Sequence, residues 1–261
     1  TLKLRRLEPG AECTIMATFP AVRDAARASA AVTASGAQPA IMELMDAHSL
    51  AAVHALLQLE PPAAELAQLT IRTDGRSAAA EADRIATVLR EAGGAATVTD
   101  DPAEGEELLR IRRSMHAAMA SLGTTLIEDV SVPRSALPAM FDEIARIERA
   151  YGIVIPTVAH AGDGNLHPNF IVPGPEIPDR IWQAADNLFR AALRLGGTLT
   201  GEHGIGILKS RWLADELGED QWELQREIVR VFDPRGILAP GRVFAPQAAD
   251  PRSPCRRPHP D

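Results

Sequence analysis

A chain of 261 residues with 46% hydrophobic side chains has length for one large domain or two small ones, and ample apolar material to bury a core. Its formal charge of −8 argues against a nucleic-acid surface, which needs a clustered basic face, and no apolar run approaches the length of a transmembrane segment. Two cysteines, Cys13 and Cys255, stand at opposite ends without ligand spacing, which favours a reducing, cytoplasmic setting, with peripheral membrane contact left open, over a disulfide framework. Thr1-Leu2-Lys3-Leu4-Arg5 reads like the interior of a polypeptide, so a fragment or a truncated reading frame is expected.

In chain order, residues 12–19 alternate as a strand, and an Ala-rich helix over 21–35 stops at Gly36. A second strand spans 38–45, followed by a helix over 49–59 that Pro61-Pro62 ends. Residues 69–73 form a strand turning at Asp74-Gly75, Ser77 caps a helix to residue 92, and Gly93-Gly94 leads into a strand at 95–99. Such alternation predicts an α+β fold, a ferredoxin-like antiparallel sheet with helices packed on one face. A helix over 102–120 carries Arg110, Arg112 and Arg113, and a strand over 125–132 closes at Pro133. Residues 135–150 are amphipathic, with Met140, Phe141, Ile144 and Ile147 opposite Asp142, Glu143, Arg146 and Glu148. Strands at 153–158 and 166–172 flank a glycine-rich turn, a helix over 179–195 stops at Gly196-Gly197, and 209–217 and 220–232 are helical. The Pro- and Arg-rich end from residue 240 reads as a trailing tail, and its cluster from Arg252 to Arg257 as a disordered end. There is no internal repeat, although the two halves suit one continuous antiparallel sheet.

Two segments carry most of the chemistry: His160-Ala-Gly-Asp-Gly-Asn-Leu-His167 and Gly201-Glu-His-Gly-Ile-Gly206. Taken singly, each has an ordinary structural reading. Asp163-Gly164-Asn165 is a turn, a lone histidine at a strand end is a hydrogen-bonded surface group, and Glu202 is a carboxylate beside a helix that starts near Ile207. Taken together, three imidazoles and two carboxylates set among glycines point to a site rather than a core. His160, His167 and Glu202 make a His₂-carboxylate set of the type used by open metal sites. His203 follows Glu202 directly; adjacent residues on an extended segment point to opposite sides, which leaves His203 as a general base rather than a ligand. Asn169, two residues after His167 on the same strand face, could donate to a bound carboxylate or carbonyl, while Asp163 holds the turn. One of the arginines before Asp129 could clamp a substrate carboxylate, the others lying on solvated helix surface. Gly201, Gly204 and Gly206 are spaced in the wrong order for a Rossmann turn, and no phosphate-binding loop occurs.

These segments, with Glu128-Asp-Val-Ser-Val-Pro133 and Phe232-Asp-Pro-Arg-Gly-Ile-Leu-Ala-Pro-Gly-Arg242, resemble the C-terminal domain of FAD-linked oxidases. That family includes D-lactate dehydrogenases, the glycolate oxidase D subunit and D-2-hydroxyglutarate dehydrogenases, and the resemblance runs from about residue 1 to residue 244. It implies the cap domain of a vanillyl-alcohol-oxidase-type flavoenzyme that oxidises a D-2-hydroxy acid to the 2-keto acid and passes hydride to FAD. It further implies His160, His167 and Glu202 around a divalent metal, zinc or manganese, with His203 taking the hydroxyl proton and Arg112 and Asn169 on the substrate. Glu202, His203 and Gly204 would border the cofactor. An electron-acceptor protein or quinone would complete turnover.

Three departures accompany the resemblance: the FAD domain is missing and would come from upstream chain or a partner subunit, Ala239 and Arg242 replace the family's Asn and Lys, and Leu109 replaces a Trp. The expected division is a substrate- and metal-binding cap over 1–200, a segment over 201–245 returning to the FAD domain, and a disordered tail over 246–261. The alternative reading is a non-catalytic module that binds metal or carboxylate, the remnant of such an enzyme.

Overall fold

Period-two burial in strand β1 (Ala11–Phe19) sends Cys13, Ile15, Ala17 and Phe19 into a core, and the same alternation repeats across its neighbours. The computed structural model describes residues 10–172, 174 and 176–243. Helix α1 (Val22–Ala34) leads to β2 (Ile41–Met45), α2 (Ala47–Leu57) to β3 (Ala67–Gly75), and α3 (Ala78–Glu91) to β4 (Ala95–Thr99). Then follow α4 (Pro102–Arg113), α5 (Met115–Leu122), β5 (Thr124–Ile127), β6 (Val130–Ser131), α6 (Leu137–Tyr151), β7 (Thr157–His160), β8 (Asn165–Val172), α7 (Asp179–Arg194) and α8 (Ser210–Phe232).

All strands join one eight-stranded sheet in the order β4-β1-β3-β2-β7-β8-β5, with β6 beside β5's end on β8. Every pairing is antiparallel, so the two halves of the chain do form one continuous sheet, through β2 and β7. The registers sort the side chains into two faces. Ile15, Leu69, Ile71, Leu44, Ala159 and Leu166 make an apolar face that α1 and α3 cover, with α6 and α7 continuing the helical layer. The opposite face carries Thr14, Thr70, Arg72, Glu43, His160 and His167, and α4, α5 and α2 pack over part of it. Met45 and Val158 of that face join Leu50, Val53, Met115 and Met119 in a second core under α2 and α5.

Of the elements whose bounds differ from the sequence expectation, three differ for evident local reasons. The expected 102–120 helix is two, because Ser114 ends α4 and starts α5 while its hydroxyl donates to the Arg110 carbonyl at 2.9 Å. The strand expected at 153–158 begins instead at Thr157, since Pro156 has no N–H to give a ladder and Ile155 N donates to the Glu148 carboxylate at 2.7 Å. The strand expected over 125–132 is interrupted at Glu128–Asp129. There Glu128 N donates to the Pro168 carbonyl, and proline has no N–H to return.

The chain divides into two compact units, Thr1–His203 and Gly204–Asp261. The first holds the sheet and α1 to α7. In the second, α8 is broken at Gly218 (φ 72°, ψ 167°), in agreement with the two helices read there. The tail expectation for 246–261 lies outside the described residues. No helix among the described residues is long and apolar enough to cross a membrane.

Candidate active site

The first site segment is the turn of the β7–β8 hairpin. His160 pairs with Asn165 and Val158 with His167, which puts His160 and His167 diagonally on one face. Their ring centroids lie 5.2 Å apart, edge to face. The turn requires Gly164: its φ is +79°, and a Cβ there would stand 2.1 Å from the Val132 carbonyl oxygen.

The second segment, 201–203, is a run of bends rather than an extended strand. Asp129, fully buried where the β5–β6 run is interrupted, organises it. Its carboxylate accepts the backbone N–H groups of Gly201 at 2.9 Å, Glu202 at 3.2 Å and His203 at 3.0 Å, and the Thr200 hydroxyl at 3.2 Å. Gly201 lets the loop close onto β8, since a Cβ there would lie 2.4 Å from the Asn165 amide. Held in this way, Glu202 reaches over the hairpin: its Oε1 is 3.4 Å from His160 Nε2 and 3.2 Å from His167 Nε2. Two ligands bound at about 2.0–2.1 Å to one tetrahedral ion stand about 3.3 Å apart, a spacing that Glu202 keeps from both imidazoles, so these three side chains could hold a divalent ion.

The bends also change the expectation for His203. Its ring does not turn away from the set but stacks on His167, centroids 5.0 Å apart and planes 20° apart, with Nε2 3.9 Å from Glu202 Oε1. Asp129, His167 and His203 thus form a second group of donor atoms within 4.8 Å of one another, sharing His167 with the first. Asp129 is already committed to the loop amides, which favours the His160–His167–Glu202 set for an ion. His203 stays half-exposed at its edge.

Sequence reasoning missed Glu43. It sits opposite His160 on β2, accepts His160 Nδ1–H at 2.7 Å through Oε1, and accepts Arg112 Nε–H at 2.8 Å through Oε2. Burial pushes the Glu43 carboxyl up, but the His160 hydrogen bond and the Arg112 charge outweigh it, so it lies below its ordinary value. The same hydrogen bond, against burial, raises His160. His167 goes the other way: burial, and then the charge of His160, push it down to about 4, which leaves it a neutral imidazole at pH 7.

Of the three arginines on α4, only Arg112 reaches this cluster; Arg110 pairs with Glu107 and Arg113 with Glu106 at the surface. Asn169 is buried, and its amide N–H groups go to the Pro156 carbonyl at 3.0 Å and the His167 carbonyl at 2.8 Å, so it ties β8 to the chain before β7. Gly204 has φ +77° and opens the second unit.

Residues 8–243 match the model of the FAD-linked oxidase C-terminal domain. The chain belongs to this family. It is 34% identical over 248 residues to the glycolate oxidase subunit GlcD of Bacillus subtilis, covering 92% of this chain and 53% of that protein. To the mitochondrial D-lactate dehydrogenase [cytochrome] 1 of Saccharomyces cerevisiae it is 29% identical, covering 95% and 44%. The chain therefore spans about half the length of these relatives. Its fold is shared with about half of each of two solved structures. p-Cresol methylhydroxylase superposes with a TM-score of 0.66 at 12% identity, over 91% of this chain and 53% of that one. The 4-ethylphenol oxidase of Gulosibacter chungangensis superposes with 0.60 at 15% identity, over 90% and 54%.

Proposed function

We propose that this family member is the substrate- and metal-binding part of an FAD-dependent dehydrogenase that oxidises a D-2-hydroxy acid to the 2-keto acid. The observation that carries the reading is the convergence of His160 Nε2, His167 Nε2 and Glu202 Oε1 on one centre. Two neutral nitrogens and one carboxylate oxygen suit zinc or manganese and leave coordination positions for the substrate hydroxyl and carboxylate. His160, His167 and Glu202 would hold the ion, which would supply Lewis acidity toward the substrate hydroxyl, and FAD would supply the hydride acceptor.

The rest is the work of this chain's residues. His203, at the edge of the donor set, takes the hydroxyl proton. Arg112 gives only its Nε–H to Glu43, and a guanidinium has five N–H donors, so the remainder can hold the substrate carboxylate. Asp129 keeps Glu202 and His203 in place by binding the amides of their loop. The relatives' names, glycolate oxidase subunit and D-lactate dehydrogenase, agree with a small 2-hydroxy acid. The FAD would belong to the half of those relatives that this chain does not match.

Metal content tests the reading directly. The purified chain, stripped with a chelator and reloaded with zinc or manganese, should hold about one ion per chain by elemental analysis, and His160→Ala or His167→Ala should lose it. A wild-type chain that holds no ion, or variants that hold as much as wild type, would overturn the metal site. In the complete enzyme His203→Ala should lower turnover about 10²–10⁴-fold with metal content unchanged.

A further inference from the structure

The geometry points to Glu43 as the residue that positions His160 as a metal ligand, by fixing which of its ring nitrogens carries the proton. The inference rests on the metal site proposed above and adds a residue that the sequence motifs do not contain. Imidazole has one lone pair to offer in its neutral form, and it ligates only through the nitrogen without hydrogen. His160 Nδ1 lies 2.7 Å from Glu43 Oε1, and a carboxylate at this distance can only accept. In the neutral ring Nδ1 therefore holds the hydrogen, and the lone pair is on Nε2, the atom that faces Glu202 Oε1 at 3.4 Å. A metal-ligating histidine that donates its other N–H to a carboxylate is held in tautomer and ring orientation together.

Glu43 is itself fixed from the other side. Arg112 donates Nε–H to Oε2 at 2.8 Å, and both side chains are largely buried, 17% and 13% exposed. The carboxylate thus stands between two donors, one per oxygen. Its placement is also set by the backbone, because Glu43 and His160 are direct partners in the β2–β7 ladder. His167 has no such partner among the described residues: its Nδ1 is buried without a hydrogen bond there, 3.9 Å from Asp129 Oδ1. The ligand pair is therefore asymmetric, and His160 is the one whose lone pair is directed from behind.

Replacing the carboxylate by an amide makes a sharp test. Arg112 can only donate, so the carbonyl oxygen of Glu43→Gln goes to Arg112 and its NH₂ faces His160 Nδ1, which must then accept. The hydrogen moves to Nε2, and the lone pair leaves the metal side. Glu43→Asp keeps an acceptor for both partners and should restore the original tautomer.

The experiment uses the full 261-residue chain. Nitrogen-resolved NMR of the imidazoles, at a pH where His160 is neutral, reads the metal-free tautomer, and a zinc titration reads affinity. The expected result is Nδ1–H in wild type and Glu43→Asp, Nε2–H in Glu43→Gln, and zinc binding weakened about 10–100-fold in Glu43→Gln alone, the usual size for losing such a partner. Nδ1–H retained in Glu43→Gln, with zinc affinity within twofold of wild type, overturns the role of Glu43 and leaves the metal site standing. A wild-type chain that binds no zinc overturns the metal site, and the tautomers of the metal-free proteins still decide for or against Glu43.

Discussion

His167 is the residue on which the two halves of the site meet: it faces Glu202 through Nε2, stacks on His203, and is only 9% exposed at its side chain. Its depressed pKa of about 4 makes a pH prediction whose sign can be worked out. An unfolded histidine titrates near 6.5, so between about 6.5 and 4 the unfolded chain binds the extra proton and the folded chain does not. The folded state is then favoured fully above 6.5 and loses that advantage as the pH falls toward 4. His160, raised by its bond to Glu43, works in the opposite sense: its contribution is present below 6.5 and fades as the pH rises through its folded value. In the chelator-treated chain, the stability of wild type relative to His167→Gln should therefore fall by about 2–3 kcal/mol between pH 7 and pH 4.5. Urea unfolding of both proteins at the two values measures it, and an unchanged difference would show that His167 is not held neutral by burial. Residues of this kind were readable in the sequence because ionisable groups stand out among glycines. Glu43 was not, because it sits inside the apolar strand Ile41–Met45 and its partner is 117 positions away. Asp129 was hidden in a similar way, inside what reads as one unbroken strand.

Elements rather than residues decide how the hairpin with its two histidines is held beside β2. Asp46 links them, since its Oδ1 caps α2 by accepting Ser49 N at 2.7 Å and its Oδ2 accepts Thr157 N, the first residue of β7, at 2.7 Å. Asp46→Ala removes a helix cap and leaves a buried strand N–H without its acceptor, which together should cost about 2–4 kcal/mol. Asp46→Asn keeps one acceptor oxygen and should fall between. Denaturant midpoints decide, and a loss under about 1 kcal/mol for alanine would mean that water replaces both bonds. The helices, strands and their order were legible because apolar periodicity survives in nearly every element. The failures fall where a single residue overrides periodicity: Pro156 delays β7, Pro168 interrupts the strand that faces it, and Ser114 splits a helix. The break opposite Pro168 is what frees Asp129 to bind the loop of Glu202 and His203, so a small departure from regular pairing builds the site.

For the molecule as a whole, the proposed donor set lies in a chain that spans only about half the length of its relatives. His160, His167, Glu202, His203, Glu43, Arg112 and Asp129 all lie in the first unit, which also contains the whole sheet. The binding of a divalent ion should therefore be a property of this chain by itself. FAD binding should not be, because the match is to the C-terminal domain of the family and covers 53% and 44% of two full relatives. The second unit exposes several apolar side chains, Val231 and Phe232 most of all. The chain alone should accordingly bind zinc or manganese, retain no FAD through gel filtration, and fail to reduce an artificial electron acceptor with D-lactate or glycolate. On the proposed reading, adding the part of the relatives that this chain does not match, as one longer chain or as a second polypeptide, should bring flavin binding and turnover together. Robust metal-dependent dye reduction by the 261-residue chain with added FAD would place the flavin-holding groups within these residues after all.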